Sequence, residues 1–161
     1  MNKKTINFVT LGCAKNTVYS EYMMGLITNS NYVLVDDPAD ANVIVVNTCG
    51  FINDAKEETI NTILDLNTFK EEGNCEFLIA IGCMVQKYAP EMEEALPELD
   101  LLLGSTTYDD IVHQIDKLYE GSNEKSQVDT SWHLPANSES EHRILSTPSY
   151  YAYLTIAEGC D

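Results

Sequence analysis

Three apolar runs rich in β-branched residues each stop on a cysteine flanked by glycine: Phe8-Val9-Thr10-Leu11-Gly12-Cys13, Val43-Ile44-Val45-Val46-Asn47-Thr48-Cys49-Gly50 and Phe77-Leu78-Ile79-Ala80-Ile81-Gly82-Cys83. Short continuous apolar runs bounded by turn residues read as strands covered on both faces, the pattern of parallel sheets. Parallel strands are joined by crossovers, so successive strands finish on the same edge of the sheet. The reading therefore gathers Cys13, Cys49 and Cys83 at one carboxyl edge.

The chain between these runs supports a wound α/β architecture. Strands are expected at Ile6–Leu11, Tyr32–Val35, Val43–Val46, Phe77–Ile81 and Leu101–Gly104. A helix from about Thr17 carries Val18, Met23, Leu26 and Ile27 on one face. A longer one begins near Asp54, whose spacing to Glu57 is that of a capping box, and its inward stripe reads Ile60, Ile63, Leu64 and Asn67. Cys83 opens a short helix broken by Pro90. Thr107 with Asp110 is placed to cap a last helix, which buries Ile111, Ile115, Leu118 and Tyr119. Strand and helix alternate through residue 120, which predicts an open, doubly wound, mostly parallel sheet of five strands, flavodoxin-like or Rossmann-like. Sites in such sheets form at the carboxyl ends of the strands, where the three cysteines fall.

Beyond residue 120 the character changes. Residues 121–149 hold seven serines, two prolines and no sustained period, and read as a linker that Trp132 and Ile144-Leu145 pin to the domain. Tyr151–Ile156 reads as a new strand, opening a further unit at 150–161, so the chain is expected to be part of a longer protein.

Charge narrows the possible partners. Twenty-six acidic residues face nine basic ones, a net charge of −17, and Arg143 is the single arginine. No basic stripe exists to neutralise phosphates, so direct nucleic-acid binding is not expected. An acidic surface suits a basic protein partner, and it also suits plain solubility. No apolar run approaches the ~20 residues of a membrane span. The basic start, Met1-Asn2-Lys3-Lys4-Thr5, leads into a strand and not into a signal-peptide core. A cytosolic location follows as the expectation, and there thiols stay reduced.

The five cysteines then invite a metal or redox reading. Cys13, Cys49 and Cys83 lie 36 and 34 residues apart, unlike a zinc knuckle. They are small buried hydrophobes, a redox pair with a spare, or a shared metal or cluster site. Three thiols without histidine suit an iron–sulfur cluster better than structural zinc, which takes four protein ligands. Cys75, in a turn at the other end of its strand, reads as structural. His113 reads as helix surface, and His133 and His142 as linker.

Longer motifs resemble a known family. Leu11-Gly12-Cys13-Ala14-Lys15-Asn16 with Ser20-Glu21, Asn47-Thr48-Cys49-Gly50-Phe51-Ile52 with Ala55-Lys56-Glu57-Glu58, and Gly82-Cys83-Met84-Val85-Gln86-Lys87-Tyr88 resemble the amino-terminal domain of the radical-SAM methylthiotransferases. Pro97-Glu98-Leu99-Asp100 and Gly104 match as well. Tyr151 to Asp161 resembles the entry to the radical-SAM barrel, which would make 150–161 its first strand. The residues after Cys13 and Cys49 resemble the branch that modifies a ribosomal protein more than the branch that modifies tRNA. Tyr19 departs from the pattern, which carries an acid before Ser-Glu. The resemblance implies that Cys13, Cys49 and Cys83 ligate an auxiliary [4Fe–4S] cluster. It also implies that Cys160 is the first ligand of a second [4Fe–4S] cluster, which works with S-adenosyl-L-methionine. The implied reaction adds a methylthio group to the β-carbon of an aspartate in a small-subunit ribosomal protein, using a sulfur donor. The 161-residue chain lacks the rest of the radical-SAM motif and is not expected to be catalytic alone. The alternatives are the tRNA-modifying type, or a non-catalytic α/β interaction module whose cysteines are merely buried.

Overall fold

A computed structural model of the chain describes residues 2–105, 107–121, 127–129 and 143–154. The elements run β1 (Thr5–Thr10), α1 (Ala14–Thr28), β2 (Val33–Leu34), β3 (Val43–Thr48), α2 (Asn53–Glu72), β4 (Phe77–Gly82), α3 (Cys83–Ala95), β5 (Leu101–Gly104), α4 (Ile111–Tyr119) and β6 (Gln127–Asp129). The sheet has the order β2-β1-β3-β4-β5-β6, and every pairing is parallel. The expected doubly wound sheet of five parallel strands is therefore present. A sixth strand, β6, adds to its edge from within the stretch read as linker. From β1 the chain first builds β2 on one side, then returns to build β3 on the other. That reversal is the topological switch point, and in open α/β sheets ligands bind outside it at the carboxyl ends.

Side-chain alternation sorts the core onto two faces. Val43, Val45, Ile79, Ile81, Leu101 and Leu103 pack against Met23 and Ile27 of α1 and Ile111 and Ile115 of α4. Their neighbours Ile44, Val46, Leu78, Ala80 and Leu102 pack against Ile63 and Leu66 of α2 and Met84, Val85, Ala89 and Met92 of α3. Every residue of β3 is buried, as a central strand covered by helices on both sides requires.

Several local readings need correction. The first helix begins at Ala14, with Cys13 as its N-cap, and not near Thr17. The expected capping box is not formed: α2 starts at Asn53, Ile52 is its N-cap and no side chain closes it. Thr107 does not cap α4 either. Its hydroxyl donates to Gly104 O at 2.9 Å, and a 3-10 turn at Tyr108–Asp110 leads into the helix. The inward stripe of α2 is Thr59, Ile63 and Leu66, while Leu64 is half-exposed. At Pro90, α3 does bend, with a non-helical Tyr88 just before it. β2 is shorter than read, because the Asn7 amide donates to Val35 O and Asp36 O and so takes the place of further ladder.

Polar anchors tie the layers together. Asp100 accepts from Lys70 of α2 at 2.5 Å and from the Leu78 amide of β4 at 2.8 Å. Glu21 of α1 is fully buried and holds Arg143: Nε donates to Oε2 at 2.6 Å, and Nη2 lies 2.5 Å from the same oxygen. The Ser146 amide and hydroxyl both donate to Oε1 at 2.9 Å, and the Ile144 amide donates to Glu21 O. The segment from 143 to 146 is thereby fastened along α1. Trp132, His133 and His142 lie outside the described residues, as does the end of the strand expected at Tyr151–Ile156. Its described part, Tyr151–Leu154, is not in a strand.

Candidate metal centre

The three strand-end cysteines occupy equivalent stations. Cys13 is the N-cap of α1 after β1, Cys49 directly follows β3, and Cys83 is the first residue of α3 after β4. Cys13 is exposed, Cys49 and Cys83 are half-buried, and none is in a disulfide. β1, β3 and β4 are adjacent in the sheet, and their register aligns Thr10 with Asn47, and Thr48 with Gly82. The three loops thus leave the sheet at one level, astride the switch point.

Glycines bring these loops into contact. At Gly12 φ is +87°, and a Cβ there would lie 2.5 Å from Cys49 Cβ and 2.8 Å from its Sγ. The loop bearing Cys13 therefore rests on the Cys49 side chain. A Cβ at Gly50 would lie 2.9 Å from Met84 Cβ, so the residue after Cys49 rests on the residue after Cys83. Gly82, with φ +117°, backs onto Thr48 O in the same manner. Only a residue without a side chain admits these approaches and the left-handed backbone at 12 and 82.

Beneath the loops lies a buried polar net. The Asn16 amide donates to Leu11 O at 2.8 Å and Thr48 O at 2.9 Å, and the Asn47 amide donates to Asn16 O at 2.9 Å and Ser20 Oγ at 3.1 Å. Thr48 Oγ1 donates to Ile81 O at 2.9 Å, tying β3 to β4. Thr59 Oγ1 of α2 donates to Cys49 O at 2.9 Å.

Charges of both signs gather at this edge, since Asp54, Glu57 and Glu58 lie in the same two turns of α2 as Lys56. Lys15, Lys56 and Lys87 fall in the first two turns of α1, α2 and α3. Lys56 and Lys87 flank the Tyr88 ring at 4.3 and 5.2 Å and hold its phenol below the ordinary value. Helix N-termini add partial positive charge at the same edge. Phe51 and Ile52, 72% and 56% exposed, form an apolar lip beside Cys49.

The remaining candidates stand apart. Cys75 is buried, its thiol donates to Phe77 O at 3.2 Å, and burial raises its pKa, all in keeping with a structural residue. His113 is exposed on α4. Cys160 lies outside the described residues. Tyr19 is buried and stacks on Tyr108 at 4.6 Å between ring centroids, so it fills its position by packing. Among the described residues, no three His, Cys, Asp or Glu side chains converge as ligands of one metal ion. A cubane takes each thiolate on a different iron, so its ligands stand further apart than those of a single ion. An all-thiol donor set with glycine at each close approach fits such a group.

Sequence reading found the cysteines, while Asn16, Asn47 and Glu21 stood in its motifs without a role of their own. The polar pair Asn47-Thr48 ending an otherwise apolar strand was the available signal, because buried polar groups need partners.

A doubly wound sheet with cysteines ringing its switch point defines a class: an α/β domain built to present thiols at one edge. Residues 5–104 match the family described as "Uncharacterized protein family UPF0004", and the chain belongs to that family, the amino-terminal domain of methylthiotransferases. It is 44% identical over 163 residues to the protein named ribosomal protein uS12 methylthiotransferase RimO of Acetivibrio thermocellus, a match covering 99% of this chain and 36% of the relative. Similar are the RimO proteins of Lachnoclostridium phytofermentans, 45% identical with 97% and 35% covered, and of Clostridium botulinum, 45% identical with 100% and 35% covered. The chain spans about a third of the length of these curated relatives.

Proposed function

We propose that this chain is the domain that holds an auxiliary [4Fe–4S] cluster, through Cys13, Cys49 and Cys83, in an enzyme that methylthiolates the β-carbon of an aspartate in a small-subunit ribosomal protein. The observation that carries this reading is the meeting of three strand-end cysteine loops across Gly12 and Gly50. When bound with three thiolate ligands, such a cluster supplies one iron open to the sulfur that is to be inserted. The chain's own residues set the conditions at that edge. Cys13 and Cys83 sit at helix starts, where backbone N–H groups favour negative charge.

Cys160 is the first ligand of a second cluster that works with S-adenosyl-L-methionine, and the catalytic reaction needs the remainder of the enzyme and a sulfur donor. The names of the relatives favour the ribosomal-protein branch over the tRNA branch. The net charge of −17 complements a basic protein substrate. A cytosolic setting, where thiols stay reduced, suits this chemistry.

Anaerobic reconstitution with iron and sulfide tests the reading. About four irons per chain are expected, the content of a [4Fe–4S] site. Cys49→Ala should abolish uptake, while Cys75→Ser should leave it intact. Undiminished iron in Cys49→Ala overturns the assignment.

A further inference from the structure

We infer that Asn16 is a positioning residue that sets the separation between Cys13 and Cys49; the inference rests on the cluster reading for its purpose, not for its geometry. Cys13 occupies the N-cap of α1, yet its side chain makes no capping bond. The third residue of the helix, Asn16, instead ties the start of α1 to the strand ends. The Asn16 amide reaches back to Leu11 O, two residues before Cys13, and across to Thr48 O, the residue before Cys49. Both partners are acceptors, so the amide NH2 must face them, whichever way a side-chain amide is drawn. One planar group thus bridges the two cysteine-bearing chains. The backbone carbonyl of Asn16 accepts from the Asn47 side-chain amide, and the Leu11 backbone amide donates to Asn47 O, so the bridge is locked on both sides. Asn16 is 1% exposed, and its Oδ1 is buried without a hydrogen-bond partner. Removing the amide would leave the Leu11 and Thr48 carbonyls without this buried donor, at a cost that keeps the bridge in place. What the bridge holds is the spacing of two thiols whose loops touch at Gly12.

The same molecule contains a matched control. Asn7 is 4% exposed, its amide also donates to two backbone carbonyls, Val35 O and Asp36 O, and its Oδ1 is likewise unpartnered. It lies on β1 facing β2, away from the cysteine edge. Asn16→Asp and Asn7→Asp each set a carboxylate oxygen against two carbonyls without changing side-chain size. A merely structural role predicts the same outcome for both.

The test uses the 161-residue chain with Cys75, Cys83 and Cys160 replaced by serine, so that only Cys13 and Cys49 remain. Cross-linking by a short rigid bismaleimide reports their separation without any iron. The rate should fall severalfold in Asn16→Asp and in the smaller Asn16→Ser, and stay at the parent value in Asn7→Asp. Thermal unfolding of each apo variant identifies the folded fraction to which rates are normalised. In the chain with all cysteines present, reconstituted under anaerobic conditions, both Asn16 variants should lose iron or shift the EPR spectrum of the reduced cluster, with Asn7→Asp unchanged. Parent-like cross-linking in both Asn16 variants overturns the inference, as does an equal loss in Asn7→Asp. If the cross-linking difference holds while the parent chain takes up no iron, the cluster reading fails and the positioning role stands.

Discussion

Gly12 shows how much rests on the absence of one methyl group. Gly12→Ala would force a left-handed backbone on an L-residue and drive its Cβ into the Cys49 side chain. Backbone strain and overpacking together predict a loss of about 2–4 kcal/mol. Gly121, with φ +76° and nothing within 4 Å, separates the two effects. Gly121→Ala should cost only the backbone part, roughly 1 kcal/mol. Urea denaturation of both variants checks the difference, and equal losses would rule out the contact with Cys49. The cysteines and their glycines were legible in the sequence, since each ends an apolar run at a turn. Which glycine backs onto which cysteine was not, because it depends on β1 lying beside β3 in the register Thr10 to Asn47.

Among the elements, α4 is fastened by two phenols. Tyr32 donates to Asp116 of α4 at 2.6 Å, and Tyr119 of α4 donates to Glu76 at 2.6 Å. The two rings stack at 6.3 Å, and Phe77 meets Tyr119 edge-on at 5.0 Å. Burial first, and the neighbouring carboxylate second, raise both phenols above the ordinary tyrosine range. The unfolded chain releases these protons near pH 10, before the fold does. Their contribution is therefore complete below about pH 10 and is lost as pH rises above it. Urea midpoints should hold steady through neutral pH and then fall, with Tyr32→Phe/Tyr119→Phe showing a shallower alkaline decline. Tyrosinate absorbance should show two of the nine tyrosines ionising only on unfolding. Helix and strand identities were readable from periodicity here, and Ile111 and Ile115 are buried as their spacing indicates. The helix starts were misread at Asp54 and Thr107 because tertiary packing, and not local capping, decides where α2 and α4 begin. β6 escaped notice because Gln127-Val128-Asp129 carries no apolar run; backbone pairing to β5 makes it a strand.

Across the whole molecule the dominant fact is a large negative charge, within which the single arginine is committed to one buried carboxylate. Breaking a buried ion pair by removing one partner strands the other, and Arg143→Met should destabilise the chain by about 3–5 kcal/mol. Glu21→Gln/Arg143→Met should lose less than the sum of the single losses, a coupling that denaturation of the four chains measures directly. The alternation of strand and helix made the doubly wound class readable from end to end. The strand order, with its switch point between β1 and β3, and the long reach from Glu21 to Arg143 were not, since neither leaves a local pattern. The Glu21 anchor also bears on synthesis. Domains fold as units while the chain leaves the ribosome. Every strand from β1 to β5 has emerged well before residue 143, so the nascent sheet can close while α1 still carries an unmatched carboxylate. Until the guanidinium follows it out, the newborn domain lacks this anchor and should be cut by proteases more readily than once residue 143 has joined it.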